Sequence, residues 1–116
     1  MRQLHQPVGG NQPRGFIQAF DVETGKHLWT WNAVPTSPDD PGAETWAGDS
    51  WKLNGGPIWV SGSFDPELNT IFYGTGNPAP WNSHLRPGDN LYTLSIVALE
   101  AKTGRLRWHF QQVHHD

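Results

Sequence analysis

An internal repeat is the feature that most constrains the fold of this chain. Residues 19–29 (AFDVETGKHLW) return as residues 98–108 (ALEAKTGRLRW). Alanine, an acidic residue, threonine, glycine and tryptophan recur at the same offsets, and an apolar run precedes both copies. Such a repeat predicts one structural unit used more than once, because each copy must bury its apolar face against a neighbour.

Each copy reads as a β-hairpin. The Thr-Gly pair supplies the positive φ that a tight turn needs, and the acidic residue can accept hydrogen bonds from backbone amides in the turn. Trp29 and Trp108 are predicted to be core rings, each lying over a site where only a methyl group fits. A single hairpin cannot bury such a face alone, so we expect a stack or a ring of sheets.

Two further strand candidates lie between the copies, at residues 57–64 and 69–74, with a turn at 65–69. Together with the second repeat they predict four consecutive antiparallel strands, which is the content of one β-propeller blade. The first repeat would supply the last two strands of the preceding blade. The predicted boundaries are a divergent segment 1–13 and a repeat region 14–116, divided into the end of one blade at 14–32, a long loop at 33–56 and the next blade at 57–112.

Two loops separate the predicted strands, residues 33–56 and residues 78–90. The first is rich in Pro, Asp and Gly, and its Trp46 and Trp51 are expected to pack it onto the top of the propeller, where it would help to cover a cavity. The acidic residues of this loop, namely Asp39, Asp40 and Asp49, are expected to be solvated.

Composition agrees with an all-β chain and excludes several classes of function. There are 13 Gly and 10 Pro, which indicates many turns, while 7 Trp, 5 Phe and 2 Tyr are too many aromatics for a disordered segment. A net charge of −3 without a basic cluster gives no electrostatic surface for nucleic acid. The absence of cysteine excludes disulfides, thiolate metal sites and a cysteine nucleophile. Residues 1–10 lack the features of a signal peptide, and no apolar run approaches the roughly 18 residues of a membrane span.

The chain resembles the eight-bladed quinoprotein alcohol dehydrogenases, enzymes that depend on pyrroloquinoline quinone (PQQ), and in particular their methanol and ethanol dehydrogenase branch. The repeats are similar to the tryptophan-docking motif of that family. Other segments follow in the family's order and spacing: residues 46–52 (WAGDSWK), 55–59 (GGPIW), 64–69 (FDPELN), 73–82 (YGTGNPAPWN) and 86–90 (RPGDN). The implied fold is a partial eight-bladed quinoprotein β-propeller of about one and a half blades, each a four-stranded antiparallel sheet.

This resemblance implies two site residues. Trp59 stands eighteen positions before Asn77, as does the family tryptophan that forms the floor under the quinone. Asn77 matches the family asparagine that ligates the metal through its amide oxygen. The implied cofactors are PQQ and Ca²⁺ or a lanthanide, and both assignments suit the chemistry, since an indole offers a flat stacking surface and hard cations prefer oxygen ligands.

Two departures from the family pattern concern the metal and the base. Family members commonly place a metal-binding glutamate shortly before the first strand, but residues 8–13 contain no carboxylate. Either another ligand replaces it, or the chain belongs to a subfamily with altered metal binding. The family's general-base aspartate would lie about three residues beyond Asp116, so we expect no dehydrogenase activity from these 116 residues alone. The adjacent His114 and His115 would point to opposite faces of a strand and are not taken as a metal site.

The resemblance further implies oxidation of an alcohol or a sugar hydroxyl in the periplasm. Cytochrome c or a membrane quinone would accept the electrons, and the remaining propeller blades would be the structural partners. An alternative is a non-catalytic β-propeller scaffold, such as an outer-membrane assembly protein. Such a protein would keep the repeats but would need neither Trp59 nor Asn77 at their spacing.

Overall fold

A computed structural model describes residues 13–116 of the chain, so the prediction for residues 1–10 and nearly all of the predicted divergent segment lie outside the described residues. The described part is all-β and carries no α-helix, as the sequence predicts. Its six strands are β1 (Phe16–Phe20), β2 (His27–Asn32), β3 (Ser63–Asp65), β4 (Thr70–Gly74), β5 (Ser95–Glu100) and β6 (Leu106–Gln111). No helix among residues 13–116 could cross a membrane.

The strands form two antiparallel sheets. The first repeat builds the hairpin β1-β2, and the second builds β5-β6 at one edge of a sheet with the order β3-β4-β5-β6. Both hairpins change register just after the alanine of the motif, at Ala19 in one and Ala98 in the other. The buried residues Ile17, Trp29, Val97 and Leu99 form one hydrophobic cluster between the two sheets.

The first predicted strand of the blade is shorter than expected. Of residues 57–64, only the last two belong to β3, so the prediction of a strand from residue 57 is wrong. Gly55 and Gly56 both have positive φ, of 100° and 67°, and Pro57 has no N–H to donate to a ladder. The chain therefore enters the sheet only at Ser63.

The two repeats dock through Trp29. This side chain is 7% exposed, and its indole Nε1 donates a hydrogen bond of 3.0 Å to the Ala101 carbonyl in the second repeat. Its ring lies over Gly104, where an added Cβ would fall 2.3 Å from ring atom Cε3. Trp29 is thus a core ring as predicted, but the site beneath it does not accommodate even a methyl group.

Trp108, predicted to be a second core ring, is 48% exposed in this structure. Within residues 13–116 its aromatic neighbour is Phe72 of its own sheet, with a centroid distance of 5.8 Å, and the described residues do not bury the ring. The turn of the first repeat behaves as expected. Asp21 Oδ1 accepts hydrogen bonds from the backbone N–H groups of Glu23 and Thr24, at 2.8 and 2.9 Å.

Residues 33–56 form a long loop with two 3₁₀ turns, Ala43–Thr45 and Ser50–Leu53. Trp46 and Trp51 are buried together against Val34, so the two rings form a small core within the loop itself. The indole Nε1 of Trp46 donates a hydrogen bond of 2.8 Å to the Leu91 carbonyl, and this bond joins the long loop to the segment before β5.

The carboxylates of the long loop differ from one another. Asp49 is exposed and pairs with Lys52 at 3.1 Å, and Asp39 is exposed, in agreement with solvated side chains. Asp40 is half-buried and accepts hydrogen bonds from the Thr36 amide at 2.8 Å and the Thr36 hydroxyl at 2.7 Å. The prediction of a solvated Asp40 is therefore wrong, because its carboxylate organises the start of the loop.

Candidate functional site

Two backbone segments, residues 55–59 and 75–79, run antiparallel beside the four-stranded sheet. Gly56 N donates to the Asn77 carbonyl at 2.8 Å, and Gly76 N donates to the Pro57 carbonyl at 2.8 Å. The approach requires glycine, since a Cβ on Gly55 would lie 2.6 Å from Ala79 N. This pairing fixes the segment that carries Trp59 against the segment that carries Asn77.

Trp59 presents its indole to solvent. The side chain is 79% exposed, and a Cβ added to Gly76 would lie 2.7 Å from its Nε1, so the ring edge lies against the residue that precedes Asn77. The exposed ring is a flat apolar surface of the kind on which a planar ligand stacks.

Asn77 lies at an open cleft of about 320 Å³. Its Nδ2 donates a hydrogen bond of 2.9 Å to Asp116 Oδ2, and no described residue donates a hydrogen bond to its Oδ1. The cleft is lined by Asn77, Pro78, Trp81, Arg86 and Asp116. The amide oxygen and the neighbouring carboxylate are hard donors that suit Ca²⁺ or a lanthanide. Among residues 13–116 no three His, Cys, Asp or Glu side chains gather into a metal-binding group.

Arg86 is a residue of this cleft that the sequence reasoning did not single out. It is the largest fully buried side chain, with no exposed surface. Its Nε donates to the Pro80 carbonyl at 2.7 Å, and Nη2 donates to the carbonyls of Trp81, at 3.3 Å, and Asp116. Burial lowers the pKa of Arg86 from its usual value, and the negative charge of Asp116 acts against that shift. The only sequence signal was its place in the RPGDN segment, which carries no role by itself.

Asn90 completes the surroundings of the guanidinium. Its Oδ1 accepts a hydrogen bond of 2.7 Å from Arg86 Nη1, and its Nδ2 donates one of 2.9 Å to the Arg86 carbonyl. Asn90 N in turn donates to the Thr45 carbonyl at 3.1 Å. The pair therefore ties the cleft to Thr45 in the long loop 33–56.

The last residues of the chain lie along the loop at residues 78–90. Gln111 Nε2 donates to the Asp89 carbonyl at 2.7 Å, and His115 Nδ1 is 2.8 Å from the Gly88 carbonyl oxygen. His114 Nδ1 is 3.9 Å from Asp89 Oδ1. The two histidines thus have different partners. The path of these last residues brings the Asp116 carboxylate within hydrogen-bonding distance of Asn77.

Known proteins of similar sequence identify the family of this chain. The family described as glucose/ethanol/alcohol dehydrogenase, beta-propeller domain (PQQ) matches residues 2–116. The chain is 46% identical to the quinoprotein alcohol dehydrogenase PedH of Pseudomonas putida over 88% of its length, and 39% identical to methanol dehydrogenase [cytochrome c] subunit 1 of Paracoccus denitrificans over 89%. It spans about a fifth of these relatives, 20% and 19%.

Solved structures agree with the sequence comparison. The quinohemoprotein alcohol dehydrogenase of Comamonas testosteroni superimposes with a TM-score of 0.80 at 44% identity, covering 89% of this chain and 18% of that one. A europium-containing methanol dehydrogenase gives a TM-score of 0.82 at 32% identity, covering 93% of this chain and 22% of that one. The fold is therefore part of a quinoprotein propeller, and the chain belongs to the β-propeller domain family of the PQQ-dependent alcohol dehydrogenases.

Proposed function

We propose that this chain is the part of a PQQ-dependent dehydrogenase that supplies the quinone floor at Trp59 and a metal ligand at Asn77. The dehydrogenase would oxidise an alcohol or a sugar hydroxyl. The observation that carries the proposal is the pairing of residues 55–59 with 75–79, which sets the segment that carries an exposed indole beside the segment that carries an amide oxygen used by no described residue. Of the two functions that the sequence allows, only the dehydrogenase needs both features.

The indole of Trp59 suits a planar tricyclic quinone. A ring that is 79% exposed gains stability when a flat ligand covers it, and stacking defines the ligand's orientation as well as its position. Gly76 supports the ring edge and cannot carry a side chain there without a clash. The proposed role of Trp59 is to hold the plane of the quinone parallel to its own.

The metal site is proposed around Asn77 Oδ1. When bound, a Ca²⁺ or lanthanide ion would act as a Lewis acid on a quinone carbonyl; the quinone would take up a hydride, with its two electrons, from the alcohol carbon, and a general base would take the hydroxyl proton. Such ions take 6–8 oxygen ligands, more than this cleft offers, so further ligands would come from the cofactor and from other parts of the protein. The europium in a similar methanol dehydrogenase supports the lanthanide option.

The proposal also includes the blade boundaries, the general base, the electron acceptor and the location of the protein. We assign residues 14–32 to the end of one blade, 33–56 to a connecting loop over the site and 57–112 to the next blade. The general-base aspartate is expected beyond Asp116. Cytochrome c is the proposed electron acceptor, because several similar dehydrogenases carry it in their names, with a membrane quinone as the other option. The proposed location is the periplasm.

PQQ binding tests the proposal directly. Titration of PQQ into the full-length protein, with all its blades and with Ca²⁺, should quench tryptophan fluorescence to saturation. Trp59→Phe, which keeps a flat ring, should bind several-fold more weakly, whereas Trp59→Leu, which keeps apolar bulk without a flat face, should lose most of the affinity. Both variants should stay folded because the side chain is 79% exposed. Equal affinity in the Phe and Leu variants would exclude stacking on residue 59, and no binding at all would favour the scaffold alternative.

A further inference from the structure

An unbroken line of hydrogen bonds runs from the buried Arg86 to the exposed Asn77. Arg86 Nη2 donates to the main-chain carbonyl of Asp116, and the Asp116 carboxylate accepts from Asn77 Nδ2 at 2.9 Å. One end of this line is fully buried and held by loop carbonyls, and the other end lies at the cleft. The buried Arg86 is thereby connected to the exposed side chain of Asn77, which would otherwise rotate in solvent.

The carboxylate of Asp116 decides which end of the Asn77 amide faces the cleft. An amide group carries an oxygen acceptor on one side and an NH₂ donor on the other, and the two sides are nearly the same in shape. An ionised carboxylate only accepts hydrogen bonds, so the side that faces Asp116 must be Nδ2. Oδ1 then points away from Asp116, where it is available to a cation.

We propose that Asp116 and Arg86 are positioning residues for Asn77: Asp116 selects the amide orientation that presents Oδ1, and Arg86 fixes the main chain of Asp116. The metal half of this inference rests on the function proposed above. The orientation half concerns only the side chains of this chain. A second effect follows, since without Asp116 the amide can turn over and present two N–H groups to the cation, which repels it.

Arginine is suited to this task for a geometric reason. Its planar fork reaches the Pro80, Trp81 and Asp116 carbonyls from one side chain, while Asn90 accepts from the remaining edge. A lysine ammonium is a single point with no fork and cannot span these acceptors. Arg86→Lys therefore keeps the charge but should release Asp116, which makes it the conservative test of the fork.

The orientation is tested first without any metal, by NMR of the Asn77 side-chain amide. In the wild type one amide proton should be shifted downfield by its bond to the carboxylate, and its two resonances should stay distinct and protected. Asp116→Asn should weaken that shift, because an amide at residue 116 can donate as well as accept and so no longer selects one orientation of Asn77. Asp89→Asn is the matched control, because it removes the same charge from an exposed carboxylate on the neighbouring loop that makes no bond to Asn77. An unchanged Asn77 amide in Asp116→Asn would overturn the inference.

Terbium then tests the consequence for binding, with Tb³⁺ luminescence excited through tryptophan as the readout. Asp116→Asn should bind Tb³⁺ roughly 10- to 100-fold more weakly, the usual effect of losing a residue that orients a ligand. Asp89→Asn should change affinity less than about twofold, as expected for an exposed charge screened by salt. If the NMR shift is present but the wild type binds no Tb³⁺, the orientation stands and the proposed metal function falls.

A double substitution separates positioning from direct ligation by Asp116. In Asn77→Asp both side-chain oxygens are acceptors, so no orientation needs to be selected. If Asp116 only positions the amide, adding Asp116→Asn to Asn77→Asp should leave Tb³⁺ affinity unchanged. If the added substitution still weakens binding more than about tenfold, Asp116 is itself a ligand and the positioning role is wrong.

Discussion

Replacement of Gly104 by alanine tests whether the two repeats are joined by close contact of an indole with a glycine. Gly104 has a φ of 76°, and a Cβ there would lie 2.3 Å from Cε3 and 2.4 Å from Cδ2 of Trp29. The chain also holds its own control. Gly25 occupies the same place in the first repeat with a φ of 74°, but nothing lies within 4 Å of the corresponding Cβ position.

The two substitutions share one destabilising effect and differ in another. Alanine at positive φ costs about 1–2 kcal/mol at either position, because the Cβ crowds the following carbonyl. At Gly104 the ring must also move or the backbone must shift, which adds about 1–3 kcal/mol as in other overpacked cores. We expect Gly25→Ala to lose about 1–2 kcal/mol and Gly104→Ala about 2–5 kcal/mol of unfolding free energy.

Urea unfolding followed by tryptophan fluorescence measures the difference. With a denaturant slope of about 1–3 kcal/mol per molar urea, an extra loss of about 2 kcal/mol lowers the midpoint by roughly 1 M more in Gly104→Ala than in Gly25→Ala. The emission of the folded Gly104→Ala protein should also move to longer wavelength as Trp29 is displaced toward solvent. Equal midpoints for the two variants would refute the reasoning, since the ring contact would then contribute nothing.

Three further predictions concern other parts of the chain. Trp46→Phe removes the donor to the half-buried Leu91 carbonyl and should lower the unfolding free energy by about 1–3 kcal/mol in urea; no loss would mean that the carbonyl finds another donor. Hydrogen bonds from the Thr36 hydroxyl and amide lower the pKa of Asp40, so its stabilising effect is present above the unfolded value of 3.8 and is lost as pH falls through the folded pKa. Asp40→Asn should therefore flatten the decline in urea midpoint between about pH 5 and pH 2, and an unchanged decline would contradict this. Trp108→Ala removes a half-exposed ring and should reduce self-association in sedimentation velocity, whereas persistent association would place the contact elsewhere.

The parts of the fold that were predictable are those set by local chemistry and by repetition. The turn at Asp21 follows from a carboxylate that reaches two amides within three residues, and the burial of Trp29 follows from a motif that occurs twice. Trp59 and Asn77 were chosen by their spacing, and the structure adds the backbone pairing that brings their segments together. Their roles in binding remain proposals.

The parts that were not predictable depend on contacts between distant residues. Residues 57–60 are apolar like a strand, but the segment 55–59 pairs with residues 75–79 outside the sheet, and only the three-dimensional path shows that β3 begins at Ser63. Arginine is normally found at the surface, so nothing in the sequence distinguishes a fully buried Arg86 from a solvated one. Three of its four acceptors are backbone carbonyls, which every residue has, so the surrounding residue types do not identify the contact.

The docking of Trp29 on Gly104 means that successive copies of the motif are joined in one direction only, from the ring of one copy to the glycine of the next. Every copy of the motif offers a ring at its end and a glycine platform at its turn, and a ring is accepted only by the platform of the following copy. In a row of such units each junction uses one ring and one platform, so one platform at the front and one ring at the back always remain unused. Here these are Gly25, with nothing within 4 Å of its Cβ position, and Trp108, which is 48% exposed. Only a closed circle uses every ring and every platform, and closure therefore adds one junction that no open row can have, whatever its number of blades.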